Sequence, residues 1–125
     1  MAYAWTSHSS DLAVYGRVAN LSSAATNAIA APIAGRIIGM VGAVQVNSTA
    51  AVITLKINGG SSVGALTLGT TAGQATTIDF INGAGTTITN DSNRVNAGDS
   101  IQLACDGNGT NGVAADVTVV IRGAG

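Results

Sequence analysis

The run Ala51-Val52-Ile53-Thr54-Leu55-Lys56-Ile57-Asn58-Gly59-Gly60 constrains the fold more than any other stretch of this chain. In an extended backbone Ile53, Leu55 and Ile57 point one way, and Val52, Thr54 and Lys56 point the other. This is the period-2 pattern of a strand with one dry face and one wetter face. Asn58-Gly59 supplies two residues that accept positive φ in a type I′ turn, so a hairpin is expected there. Downstream the grammar repeats as short alternating runs closed by Gly, Asn or Asp.

Arg36 to Val46 reads as a long strand, apolar nearly throughout, as a strand covered on both faces would be. Gly39 and Gly42 mark bulges or bends within it. Val63 to Leu68 puts Leu66 and Leu68 on one face. Thr76 to Ile81 alternates Ile78 and Phe80 against Thr77 and Asp79. Asn82-Gly83 is a second hairpin signal, followed by a short strand from Thr86 to Thr89, and Asn90 to Arg94 reads as a polar turn. Gly98-Asp99 then turns the chain into a strand with Ile101, Leu103 and Cys105 inward. Ala115 to Arg122 is the last strand, with Val117, Val119 and Ile121 as its apolar row. Seven or eight short strands with no convincing helix predict an all-β fold, a jelly-roll-like β-sandwich. Its body is expected over residues 35–125, with a core of Ile37, Ile53, Leu55, Ile57, Phe80, Ile101, Leu103, Val119 and Ile121.

Residues 1–34 differ in texture. Leu12 to Val18 has a strand pattern, with Leu12 and Val14 on one face and Ala13 and Tyr15 on the other. Asn20 to Ala34 is mostly Ala, Ser, Thr and Asn, and Pro32 limits any helical turn over Ala28 to Ala31. The segment reads as an extended N-terminal arm, which fully stretched would reach on the order of 110 Å. Three of the four aromatic residues (Tyr3, Trp5 and Tyr15) lie in it, and Phe80 is the only one in the body. Aromatics on such a segment are costly unless they meet a partner. Tyr3, Trp5, Leu12, Val14 and Tyr15 are therefore expected to dock on a partner, either a larger shell or a neighbouring subunit.

The 125 residues carry five Lys plus Arg, six Asp and no Glu, for a net charge of −1. There is no basic field for nucleic acid. No stretch is long and apolar enough to span a membrane, since Ala28 to Ala34 is short and holds Pro32. The opening Met1 to His8 lacks a basic region followed by an apolar run, so no secretory signal is expected. Few charges and many small polar residues suit a surface that meets other subunits, so a homo-oligomer is expected.

Candidate chemistry is sparse. His8, flanked by Ser7, Ser9 and Asp11, is a contiguous run, whereas triad members come from separate rigid elements. Asp106 to Gly112 has the look of a calcium loop, but position six is Asn111 and position twelve is Val117, against the Gly and Glu of an EF-hand. The Gly59-Gly60 and Gly107 turns lack the Lys-Ser/Thr and helix start of a phosphate cradle. Lys56 as an isopeptide donor would need a buried carboxylate shuttle, so it reads as a solvated or interface charge. Cys105 alternates with Ile101 and Leu103 and reads as a small buried hydrophobe. Asp99 is expected to bond backbone N–H groups in its turn. No catalytic residue, cofactor or metal site is expected, and the chain is not expected to be an enzyme.

Four runs carry a resemblance: Gly35-Arg36-Ile37-Ile38-Gly39-Met40, Val52-Ile53-Thr54-Leu55-Lys56-Ile57-Asn58-Gly59, Val95-Asn96-Ala97-Gly98-Asp99-Ser100-Ile101 and Val117-Thr118-Val119-Val120-Ile121. Together, over roughly residues 35–122, the chain resembles the small head-decoration or cement proteins of tailed bacteriophages. The resemblance implies a jelly-roll homotrimer on the outer surface of the virion, clamping neighbouring copies of the major capsid protein. It implies no catalytic residues. The other function weighed is a phage tail-fibre or carbohydrate-binding β-sandwich module. Phe80, the body's sole aromatic, lies on an apparent core row, which leaves no aromatic platform for a sugar.

Overall fold

The hairpin signal is realised at Asn58-Gly59. Both residues hold positive φ, 52° and 74°, and the Gly60 N–H donates to the Ile57 carbonyl at 3.0 Å. Asn58 Oδ1 accepts from the Ser100 N–H at 2.8 Å, which ties the turn to a third strand. The computed structural model of the chain describes residues 10–60, 62–80 and 92–123. It contains β1 (Asp11–Val18), β2 (Thr26–Ala30), β3 (Gly35–Val44), β4 (Val52–Ile57), β5 (Ser62–Thr67), β6 (Ala75–Asp79), β7 (Arg94–Val95), β8 (Ser100–Cys105) and β9 (Ala115–Gly123).

The strands form two antiparallel sheets. The first runs β1-β9-β3-β6, with β7 beside β6 along the same edge of β3, and the second runs β2-β8-β4-β5. The pairings are nested: β4 with β5, β3 with β6 and β7, β2 with β8, β1 with β9. This is one long hairpin with its apex at Asn58-Gly59. Pairing of β9 with β3 and of β8 with β4 rolls it into two sheets. The expected all-β sandwich is the observed fold.

Alternation fills the space between the sheets. Ile37, Met40, Ile53, Leu55, Ile101, Leu103, Val117, Val119 and Ile121 are fully buried there, and Phe80 and Cys105 are buried with them. Ile57, expected in the core, lies partly buried at its margin. With so few aromatics the sheets close on aliphatic side chains and glycines. A Cβ at Gly42 would lie 2.7 Å from Leu68 Cδ2, so this glycine, expected at a bend, instead permits close packing. The other marked glycine does sit at a bulge: the β3–β9 register slips between Ile37 and Gly39. The chain exposes 6051 Å², about the 6,000 Å² that surface scaling gives for a compact fold of this mass.

Several expectations are corrected. Residues 11–34 are not an arm. Strand β1 pairs with β9 along its whole length, from Asp11–Arg122 to Val18–Ala115, and β2 pairs with β8. Val18, Leu21 and Ala31 are buried in the core. The physical reason is backbone pairing. A segment poor in large apolar side chains still brings a full set of N–H and C=O groups, and here these cover the outer edges of β9 and β8. The boundary expected at 34/35 therefore falls within the domain, at the connection from β2 to β3. Residues 1–9, with Tyr3, Trp5 and His8, lie outside the described residues, as do Asn82-Gly83 and the strand expected over 86–89. Strand β3 stops at Val44, leaving Val46 exposed, and Arg94, read as part of a turn, begins β7. Asp79, placed on a wetter face, is buried like its neighbour Phe80.

Candidate functional site

The bulge in β3 borders a cavity. Ile38 is the extra residue, buried but outside the continuous core cluster. Its carbonyl accepts the Phe80 N–H at 3.0 Å, which brings the chain after β6 alongside. Ile38, Phe80 and Val95 line the apolar part of a cavity of about 490 Å³. Asn93 lines it too. Its Nδ2 donates to the Ile37 carbonyl at 3.0 Å, while its Oδ1 is buried with no hydrogen-bond partner among the described residues.

Three arginines also line this cavity: Arg36, Arg94 and Arg122. Strand register puts them in one cross-strand row, Arg94 beside Arg36 and Arg36 beside Arg122, with Asp11 at the far end. Like charges so placed repel unless they are compensated. Arg122 is held by Asp11 in a two-pronged pair, Nε to Oδ1 at 2.9 Å and Nη2 to Oδ2 at 3.3 Å. Arg36 and Arg94 are engaged as well. The arrangement offers guanidinium planes, an apolar interior and one unused buried acceptor. Such a set suits an aromatic group that carries an N–H or O–H donor.

A second polar cluster lies on the outer face of the first sheet. Asp116 accepts hydrogen bonds from the Tyr15 hydroxyl and from Gln45 Nε2, and Arg17 Nη1 lies 3.7 Å from its Oδ1. The bond to Asp116 raises the Tyr15 phenol above its ordinary pKa, with desolvation adding to the effect. At the end of the sandwich away from the arginine row, loops are knit by their own side chains. Asn20 Oδ1 accepts from the Ser22 and Gly112 N–H groups at 3.1 and 3.0 Å. Asp106 Oδ1 accepts from the Asn108 N–H at 3.0 Å, an Asx turn at the start of the glycine-rich loop. Asp99 Oδ2 accepts the Asn96 N–H at 2.8 Å, the turn role expected of it. Cys105 is a free, buried thiol with Sγ 3.6 Å from the Leu21 carbonyl.

Of the five residues expected to dock on a partner, three are described. Leu12, Val14 and Tyr15 all belong to β1 rather than to an arm. Val14 packs against the core, whereas Leu12 keeps 36 % and Tyr15 58 % of its surface exposed. Tyr3 and Trp5 lie outside the described residues. The arginine row had no local signal in the sequence, since its members stand at 36, 94 and 122 and meet only through strand register. Among the described residues, no group of three or more His, Cys, Asp or Glu is placed to hold a metal ion. No protein-family model matches the chain, and no curated protein matches it.

Proposed function

We propose that this is a structural virion protein that decorates and stabilises a bacteriophage capsid by binding capsid subunits as a homotrimer. The observation that carries the reading is the nested strand pairing. We read it as the pairing of a jelly roll, and it is built from the runs on which the resemblance to head-decoration proteins rests. Gly35 to Met40 lies in β3, Val52 to Ile57 is β4, Ser100 and Ile101 open β8, and Val117 to Ile121 lies in β9.

Charge distribution supports the assembly. Lys56 is the only charged residue in the four strands of the second sheet, whereas Asp11, Arg17, Arg36, Asp79, Arg94, Asp116 and Arg122 all belong to the first. Strands β2 and β5 are the edges of the second sheet and carry no charge. An uncharged edge is a template for further pairing unless something covers it. We assign the subunit contacts to this sheet and the capsid contact to strand β1, where Leu12 and Tyr15 remain exposed.

The test is co-sedimentation of purified protein with capsids lacking decoration. Wild type should pellet with the shells at saturable occupancy. Leu12→Asp, Tyr15→Ala or both should weaken this without changing the melting temperature. Retention at wild-type occupancy in the double variant would remove β1 from the contact, and failure of wild type to bind any such shell would sink the reading.

A further inference from the structure

Three of the chain's five Lys and Arg residues, Arg36, Arg94 and Arg122, line one cavity. Cross-strand neighbours of like sign repel, so this gathering favours an anion beside them. The lining itself contains no carboxylate. Asp11 holds Arg122 from outside it. A guanidinium carries five N–H donors in a fixed fork, so an arginine already paired with one acid can serve a second.

The interior of the cavity selects for more than charge. Ile38, Phe80 and Val95 supply apolar walls. Asn93, only 6 % exposed, lines the cavity with them. Two bonds to Ile37 hold it in place. The Ile37 N–H donates to the Asn93 carbonyl at 2.9 Å, and Asn93 Nδ2 donates to the Ile37 carbonyl at 3.0 Å. The second bond fixes which end of the amide is nitrogen. The atom left without a partner among the described residues, Oδ1, is therefore an acceptor. A buried acceptor left unused is destabilising, so a ligand that donates to it gains beyond the area it covers. Water would serve the acceptor but leave the apolar walls wet. A ring carrying one N–H or O–H serves both, and guanidinium planes stack on such a ring. At about 490 Å³ the cavity falls within the usual range of small-molecule pockets.

We propose that this cavity binds a small aromatic carboxylic acid whose ring bears a hydroxyl or an N–H. The carboxylate meets the arginine row, the ring lies against Ile38, Phe80 and Val95, and the ring donor bonds Asn93 Oδ1. This inference does not rest on the capsid reading.

Calorimetric titration of the full chain near neutral pH tests it, with para-hydroxybenzoate and the larger indoleacetate as probes. Each is compared with relatives that lack one group. Benzoate and N-methylindoleacetate lack the donor, and phenol and indole lack the charge. At least one acid should bind saturably at millimolar concentration. Its two relatives should each bind about tenfold more weakly, the size of one lost hydrogen bond to a buried or charged group. Added salt should weaken the acid and leave phenol or indole unchanged. Ala34→Phe and Asn96→Phe each place a bulky ring at an exposed cavity-lining position. Each should abolish the binding heat while circular dichroism and melting stay close to wild type, and two variants guard against one failing to fold. Absence of binding by both acids overturns the proposal. Equal affinity for the donorless relative removes Asn93 Oδ1 from the site, and equal affinity for the uncharged one removes the arginine row; either overturns it. So does binding that survives in both rim variants, which would place the ligand elsewhere.

Discussion

Gly64 has no room for a side chain, because a Cβ built there would lie 2.4 Å from Phe80 Cε1 and 3.1 Å from Cζ. Phe80 is buried against the core, so the ring or the strand must shift to admit the methyl. Gly64→Ala should therefore destabilise the fold by about 1–3 kcal/mol, the usual cost of overpacking, read as a lower midpoint in chemical denaturation. An unchanged midpoint would mean the ring has a second seat. Asp99 makes a different kind of contribution. Its carboxyl is held below its ordinary pKa first by the Asn96 N–H and then by Asn58. A group that ionises more easily when folded stabilises fully above its unfolded pKa, and that contribution fades as pH falls through the folded value. Thermal melts below the ordinary carboxylate range should show wild type losing stability more steeply than Asp99→Ala, with the two curves converging in acid. Parallel curves would remove Asp99 from the pH dependence.

Strand β4 and its turn were legible because two signals coincide there, period-2 alternation and Asn-Gly. The turn is correspondingly sensitive. Gly59 holds φ of 74°, and Gly59→Ala should cost about 1–2 kcal/mol for a left-handed non-glycine residue, measured by equilibrium unfolding. A cost near zero would show that the turn relaxes to another type. Strands β8 and β9 were legible for the same reason, since Ile101, Leu103 and Cys105, and Val117, Val119 and Ile121, alternate strictly and are buried. Strand β2 was not legible. Its single large apolar residue is Ile29, and its extended state comes from hydrogen bonds to β8 rather than from any pattern of its own. The two residues of β7 were equally silent, being fixed by the edge of β3. The candidate site was the least legible part. It draws on residues around 34–38, 80, 93–96 and 122–123, and it needs a bulge whose glycine signal says nothing about which side chain is displaced. A sequence shows local period and turn chemistry well, and it shows poorly what a sheet assembles from distant strands.

At the scale of the molecule, charge is sorted between the two sheets in a way that local rules do not require. Either outer face would tolerate Lys, Asp or Arg at its exposed positions, yet the second sheet has one charged residue and the first has seven. Solubility favours charge spread over the whole surface, so a face with one charge and two uncharged edges are what the proposed homotrimer would bury. A closed ring of three would cover such edges without leaving an open filament end. Ala28 is exposed in the middle of edge strand β2 and is paired with Gln102 of β8. A glutamate at that position would project from the uncharged sheet and carry its charge into any contact made there, where desolvating an unpaired carboxylate is costly. Wild type should sediment as a trimer at micromolar concentration, and Ala28→Glu should shift it to a monomer that keeps its β circular-dichroism signal. A variant that stays trimeric would move the interface to the first sheet. A wild type that sediments as a stable monomer would remove the trimer itself, and the sorting of charge would then need another cause.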